Sequence, residues 1–289
     1  GVSLYDYLAQ QVLARQPIER QSFLFASSLL EEFDSALCAE IIGDEIGIDR
    51  DWDDDINFVL RNNLFAVVIG EGKPLLRYHH LFCDFLQSTF RQREPELMTR
   101  IQTRYVHHLK SIGEWERAHL LTKKMSAPEL SAELVESIGQ QMIINGKFKV
   151  VKQWLDELPE SYRQKSPILN SIYGAAVLMS TDKMMGIEIL TDSIDALSVM
   201  NKPEALAQAL IRRTYGWRQL GQYEKSIADL DKAIEAMEQQ GLLGSNLASA
   251  YHGKGATLLL MGRTNEAVTW LDESIRLYKL VGYEVGENK

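Results

Sequence analysis

Apolar positions change their spacing along this chain, and the changes mark its parts. At first they recur at helical intervals: Leu4, Tyr7, Leu8, Val12 and Leu13 ahead of Pro17, then Phe23, Leu24 and Leu29 within 18–30. A third helical run carries Leu37, Cys38, Ile41 and Ile42 behind Asp34, a residue type that caps helix starts, with Gly43 as its expected stop. A fourth, over 51–62, turns Trp52, Ile56, Val59 and Leu60 inward. Two short apolar runs, 64–69 and 75–78, then flank Gly70-Glu71-Gly72, which predicts a β-hairpin. Leu81, Phe82, Phe85, Leu86 and Phe90 restore the helical period, which persists to the end. Helices, a hairpin and one more helix, in that order, predict a winged-helix module over 1–94.

The remainder predicts helix pairs. Gly113 separates Leu97, Ile101, Tyr105 and Leu109 from Trp115, Ala118 and Leu121. Asn145-Gly146 likewise separates Leu130, Leu134, Ile138 and Met142 from Phe148, Val151, Trp154 and Leu158, and Pro159 closes the run. These hairpins form a helical arm over 95–160. Over 161–289 the positions themselves repeat: Gly174, Thr214 and Gly255; Gly186, Ser226 and Ala267; Leu190, Leu230 and Leu271; Ser193, Ala233 and Ser274. The offset is about forty residues, against roughly thirty-four in a standard tetratricopeptide repeat. Small residues let helices approach and the leucines fill the space between pairs, so a tetratricopeptide-like superhelix is expected. The surplus residues fall near 200–203 and 240–245. The fold class is therefore mainly α: a winged-helix module with one β-hairpin, a helical arm, and a tetratricopeptide-like α-solenoid.

The first helices of a solenoid line the wall that meets its ligand. Counting along the repeat places Ser171 and Ala175, then Gln208, Ile211, Tyr215 and Arg218, then Ser249, His252 and Ala256 on that wall. Tyr215, Arg218 and His252 are the side chains best suited to a ligand or partner; the alternative is that they are solvated or packed on the next helix.

Charge narrows the function. The net charge of −9 argues against a general grip on nucleic-acid phosphates. The acidic residues of 31–55 face only Arg50 within their own stretch. Asp51, Asp53, Asp54 and Asp55 lie at the first turn of the helix that a DNA-binding winged helix would place in the major groove, so a protein-facing module is expected. No run approaches the length of a membrane span and no secretory leader is visible, so a cytoplasmic protein is expected. Cys38 and Cys83 are too few for a disulfide framework and read as reduced thiols. Gly1 in place of Met, and an end without a polar capping helix, suggest a piece of a longer polypeptide.

Reactive constellations are weak. Gly70-Glu71-Gly72-Lys73-Pro74 lacks both the spacing and the hydroxyl of a phosphate-binding loop. His79 and Cys83 share a helical face but have no third ligand nearby, and His107-His108 diverge, so no metal is expected. The tryptophans fall at packing positions, and no catalytic arrangement stands out, so the chain is not expected to be an enzyme or to hold a cofactor unaided. His79 and His80 stand where a strand gives way to a helix, whose start offers N–H groups and a positive dipole end to an anion.

Several stretches together resemble the MalT-type, LuxR-like large transcriptional activators: 4–8 with Val12-Leu13, 23–29, Leu60-Arg61-Asn62-Asn63-Leu64-Phe65, Arg77-Tyr78-His79-His80-Leu81-Phe82, and Trp154-Leu155-Asp156-Glu157-Leu158-Pro159. The resemblance covers the chain, with Tyr-His-His-Leu-Phe its most specific part. It implies an upstream ATPase domain of the STAND class in the same polypeptide, using ATP and ADP, and a helix-turn-helix end downstream. It also implies that His79, or else His80, contacts the β-phosphate of ADP in the closed state; the alternative is a histidine buried against the neighbouring arm. The chain would then be a regulatory and sensor part of an ATP-dependent activator, with a small-molecule inducer or regulatory protein on the solenoid. A protein-interaction scaffold without a small ligand is the alternative.

Overall fold

The helical spacing around Phe23 is realised as α1 (Ile18–Ser27), which buries Phe23, Leu24 and Phe25. The computed structural model describes residues 10–47, 50–69, 75–180 and 182–282. Leu4, Tyr7 and Leu8 of the first expected helix, and the Gly70-Glu71-Gly72 turn, lie outside the described residues. The chain divides into two compact units, Gly1–Ala127 and Pro128–Lys289, a division that falls within the stretch expected to form the arm.

In the first unit α2 (Ser35–Ile46) starts at Asp34, whose carboxylate accepts the Leu37 N–H at 2.8 Å. Gly43 does not stop this helix, contrary to expectation. It keeps helical geometry and is buried, and the helix ends at Gly47, whose φ of +135° few other residues can adopt. A glycine inside a helix costs stability but does not terminate it; termination needs the change of backbone direction. α3 (Trp52–Arg61) is capped by Asp51, which accepts the Asp54 N–H at 2.9 Å.

β1 (Ala66–Ile69) and β2 (Leu75–Tyr78) pair antiparallel with Ala66 opposite Tyr78. Phe33 adds a bridge to Leu76, exchanging both backbone bonds at 2.9 and 2.8 Å. α4 (His80–Arg93) follows at once and buries Phe82, Leu86 and Phe90. An aromatic chain welds these parts together: Phe23 meets Phe33 edge-on at 6.3 Å, Phe33 meets Tyr78 at 4.9 Å, and Tyr78 meets Phe82 at 5.7 Å. Each fully buried ring contributes on the order of 1.5–3 kcal/mol, which sets the hairpin and α4 in one rigid frame. α5 (Pro95–Ser111) packs on α2, α4 and α6 (Trp115–Lys124), with Gly113 turning the chain at φ +81°.

The second unit opens with the hairpin α7 (Pro128–Ile144) and α8 (Phe148–Glu157), turned by Gly146 at φ +78°. A short helix, α9 (Glu160–Lys165), precedes three pairs: α10 (Pro167–Ser180) with α11 (Lys183–Ser198), α12 (Pro203–Gln219) with α13 (Tyr223–Glu238), and α14 (Ser245–Leu260) with α15 (Thr264–Leu280). The helices of a pair pack on each other, and α10, α12 and α14 also pack in succession, so the first helices form a continuous wall. The repeated positions behave as their chemistry requires. Gly174, Gly186, Ser226, Ala267, Leu190, Leu230, Ser193, Ala233 and Ser274 are buried, and a Cβ on Gly186 would meet the Leu178 backbone N at 2.6 Å. The long period is used in helices of 14 to 17 residues and in linkers over 199–202 and 239–244.

Candidate functional sites

Two places bring together the side chains singled out by the sequence. The first is the start of α4. His79 is its N-cap, extended at φ −59° and ψ 136°, and its N–H donates to the Phe65 carbonyl at 2.6 Å. The hairpin thus fixes where the helix begins. His79 and His80 are both exposed, with ring centroids 4.4 Å apart. The burial against the neighbouring arm weighed as the alternative for His79 is not what the fold shows: His79 is exposed, and Phe82, three residues on, takes the inward place. The Cys83 thiol, also on α4, donates to the Ser28 carbonyl at 3.2 Å. Burial, then the neighbouring Asp84, raises its pKa to about 11, so it stays a neutral thiol.

The acidic face of α3 differs from its linear reading. Asp55 is buried and receives hydrogen bonds from Arg20 of α1 and from Arg50. Asp54 also pairs with Arg20. Asp55 therefore belongs to the core of the module and does not contribute to an outward negative patch. Five more acidic residues of the stretch are matched from a distance: Glu31 by Arg117, Glu32 by Arg77, Glu40 by His108, Asp44 by Arg104 and Glu45 by Arg100.

The second place is the wall of first helices. Tyr215 and His252 are exposed; Gln208, Ile211 and Arg218 are half-buried. The Gln208 amide donates to Asn246 on α14 at 3.4 Å, and Arg218 donates to the Gly253 carbonyl at 3.4 Å. Burial lowers the Arg218 pKa. Ile211 packs against the core cluster that the three pairs share. Ser171 and Ala175, expected on the same wall, are buried, because α7 packs over α10 where a first repeat would leave them open.

One residue of this wall escaped the sequence reading. Arg212 of α12 is 8% exposed, and its guanidinium donates to Gln140 of α7 at 2.7 Å, to Ser171 of α10 and to Gln208 at 3.3 Å. A signal for it existed: the repeat register aligns Arg212 with Ile172 and Gly253, both buried, so a cation occupies a core position.

A cavity of about 550 Å³, lined by Leu13, Gln21, Leu81, Phe85 and Arg93, reaches the first turn of α4, and one of about 580 Å³ is lined by Leu243, Tyr251, Leu277 and Leu280. Among the described residues no three His, Cys, Asp or Glu side chains converge as a metal site, and no helix is long and apolar enough to cross a membrane.

The fold defines the class: a winged-helix module followed by a tetratricopeptide-type helical array, neither of them a catalytic domain type. The comparisons narrow it. Residues 9–98 match the MalT winged helix domain and residues 218–279 match the tetratricopeptide repeat. The chain is 27% identical over 170 residues to the HTH-type transcriptional regulator MalT of Vibrio cholerae, an alignment covering 56% of this chain and 18% of that protein. The chain thus spans less than a fifth of the length of this relative. It is similar to MalT, with a winged helix that matches the MalT type and a tetratricopeptide-repeat region.

Two solved structures are similar to the chain at low identity. A putative kinesin light chain with tetratricopeptide-like repeats from Podosopora anserina is 10% identical, with a TM-score of 0.48 over 64% of this chain and 96% of its own. The STAND protein with a tetratricopeptide repeat sensor from Pyrococcus horikoshii is 14% identical, with a TM-score of 0.38 over 97% of this chain and 53% of its own.

Proposed function

We propose that this chain is the regulatory part of a signal-responsive, ATP-dependent transcriptional activator. Its winged helix relays the nucleotide state of an ATPase domain in the same polypeptide, and its tetratricopeptide region binds an inducer or a regulatory protein. The observation that carries the reading is the exposed His79–His80 pair at the N-terminus of a fourteen-residue helix, within a MalT-type winged helix. A helix start attracts anions through its N–H groups and dipole, and two imidazoles there suit a phosphate of ADP. The part MalT plays as a transcriptional regulator supports the cellular role. Coupling follows from linkage: an inducer that binds the ADP-released form more tightly shifts the population towards it.

The test is ADP affinity of the complete polypeptide. His79→Ala is expected to weaken ADP binding by about tenfold, the equivalent of roughly 1.4 kcal/mol, with His80→Ala as the second variant. Unchanged affinity in both removes the nucleotide relay. For the solenoid, a ligand screen by thermal shift is expected to yield a stabilising compound whose effect is lost in Tyr215→Ala. Retention of a protein partner by the same wall, with no compound active, supports the scaffold reading instead.

A further inference from the structure

Adjacent arginines of α12 have opposite fates. Arg213 is held by both oxygens of Asp229, at 2.8 and 2.6 Å, and by Thr191 at 2.8 Å. Arg212, on the wall side, is as deeply placed, yet its acceptors are the neutral Gln140, Ser171 and Gln208. Among the described residues no carboxylate pairs with it. Burial alone pulls its pKa down to about 10. A charge removed from water is ordinarily retained only when an opposite charge or a metal shares its site, because desolvation costs several kcal/mol. Six residues along the same helix, Arg218 also loses solvent and donates to a backbone carbonyl at 3.4 Å. Exposed Tyr215 lies between these two cations on the helix face.

We propose that Arg212, with Arg218, recognises a small molecule bearing a carboxylate or phosphate, which enters the wall of first helices beside Tyr215 and takes the acceptor positions that Gln140 and Gln208 occupy. The two glutamines are half-buried, long and neutral, so they can give way. The planar guanidinium fork matches a carboxylate or phosphate with two parallel bonds, which amide oxygens supply only one at a time. A compact anionic group fits a cation that is 8% exposed, and the Tyr215 ring offers a flat surface to the remainder of the molecule. The inference rests on the reading of this region as a ligand sensor and adds the chemical class of its ligand.

The test uses the whole chain and the probes phosphate, succinate and phenyl phosphate at matched ionic strength, against succinamide as the uncharged control. At least one anion is expected to raise the Tm saturably by a few degrees while succinamide does not. Its affinity should fall at least about tenfold in Arg212→Gln and less in Arg218→Gln, and should be unchanged in Arg276→Gln, which removes an exposed charge. Because Arg212→Gln can fail by unfolding, Gln208→Glu is the second variant. Its built-in carboxylate should raise the Tm of the chain alone and abolish the response to the anion. The proposal is overturned if none of the three anions shifts the Tm, if the shift survives Arg212→Gln, or if Gln208→Glu leaves the response intact. A compound from the wider screen that binds without anionic character overturns this inference while leaving the sensor reading in place. Binding of acidic peptides but of no small anion overturns it in favour of a protein partner.

Discussion

Asp55 sits in the first turn of an acidic helix, where linear logic leaves it in water, yet it is 0% exposed between Arg20 and Arg50. Asp55→Asn keeps the shape but leaves two arginines facing an amide, so the unit should lose about 3 kcal/mol in urea denaturation. Its neighbour Asp54 is held below the ordinary carboxylate range by the hydrogen bond from Arg20 and then by its charge, with burial acting the other way. A depressed carboxylate contributes stability that is fully present above its unfolded pKa of about 3.9 and is lost as pH falls through the folded value. Denaturation midpoints should therefore fall on acidification below about pH 4, and Arg20→Gln should make that fall shallower. Arg212 shows the converse case. Its buried register position was legible in the repeat, whereas the neutrality of its partners depended on which side chains α7 and α10 delivered.

Among the helices, glycine carries two meanings that spacing does not separate. A Cβ on Gly186 would lie 2.5 Å from the Leu178 Cβ and 2.6 Å from its backbone N, so neither side chain nor backbone can yield cheaply. Gly186→Ala is expected to cost about 2–3 kcal/mol despite the better helix propensity of alanine. Gly43 meets only Trp52, at 3.8 Å, within an ordinary helix. Gly43→Ala should stabilise by about 0.5 kcal/mol, and the two opposite signs are readable in the same denaturation series. The pairing of α2 with α5 is also an element-scale fact: Glu40 meets His108 at 2.7 Å, Asp44 meets Arg104 at 2.5 Å and Glu45 meets Arg100 at 3.0 Å. Each such pair is worth at most about 1 kcal/mol, but together they spread bases over an acidic stretch that has only Arg50 of its own. The α4 start was legible because Tyr78, His79 and His80 mark a strand meeting a helix. The open or closed state of each wall residue was not, since the α7 hairpin covers Ser171 and Ala175 but leaves Tyr215 in solvent.

For the molecule as a whole, two compact units predict that damage stays local. Amide exchange should accelerate within Gly1–Ala127 in Asp55→Asn and within Pro128–Lys289 in Gly186→Ala, and exchange that quickens evenly along the chain would contradict this. A net charge of −9 predicts no retardation of duplex DNA by this chain even at low salt. By itself the sequence determined the order of elements, the repeat period and the places of the small residues, because helical and strand periodicities and close helix approach are local demands on residue type. Only the tertiary structure decided where charge resides. Coulombic pairing and desolvation depend on distances between segments far apart in the chain, so Asp55 went to the core, the acidic stretch found its arginines, and Arg212 was buried without a counter-charge.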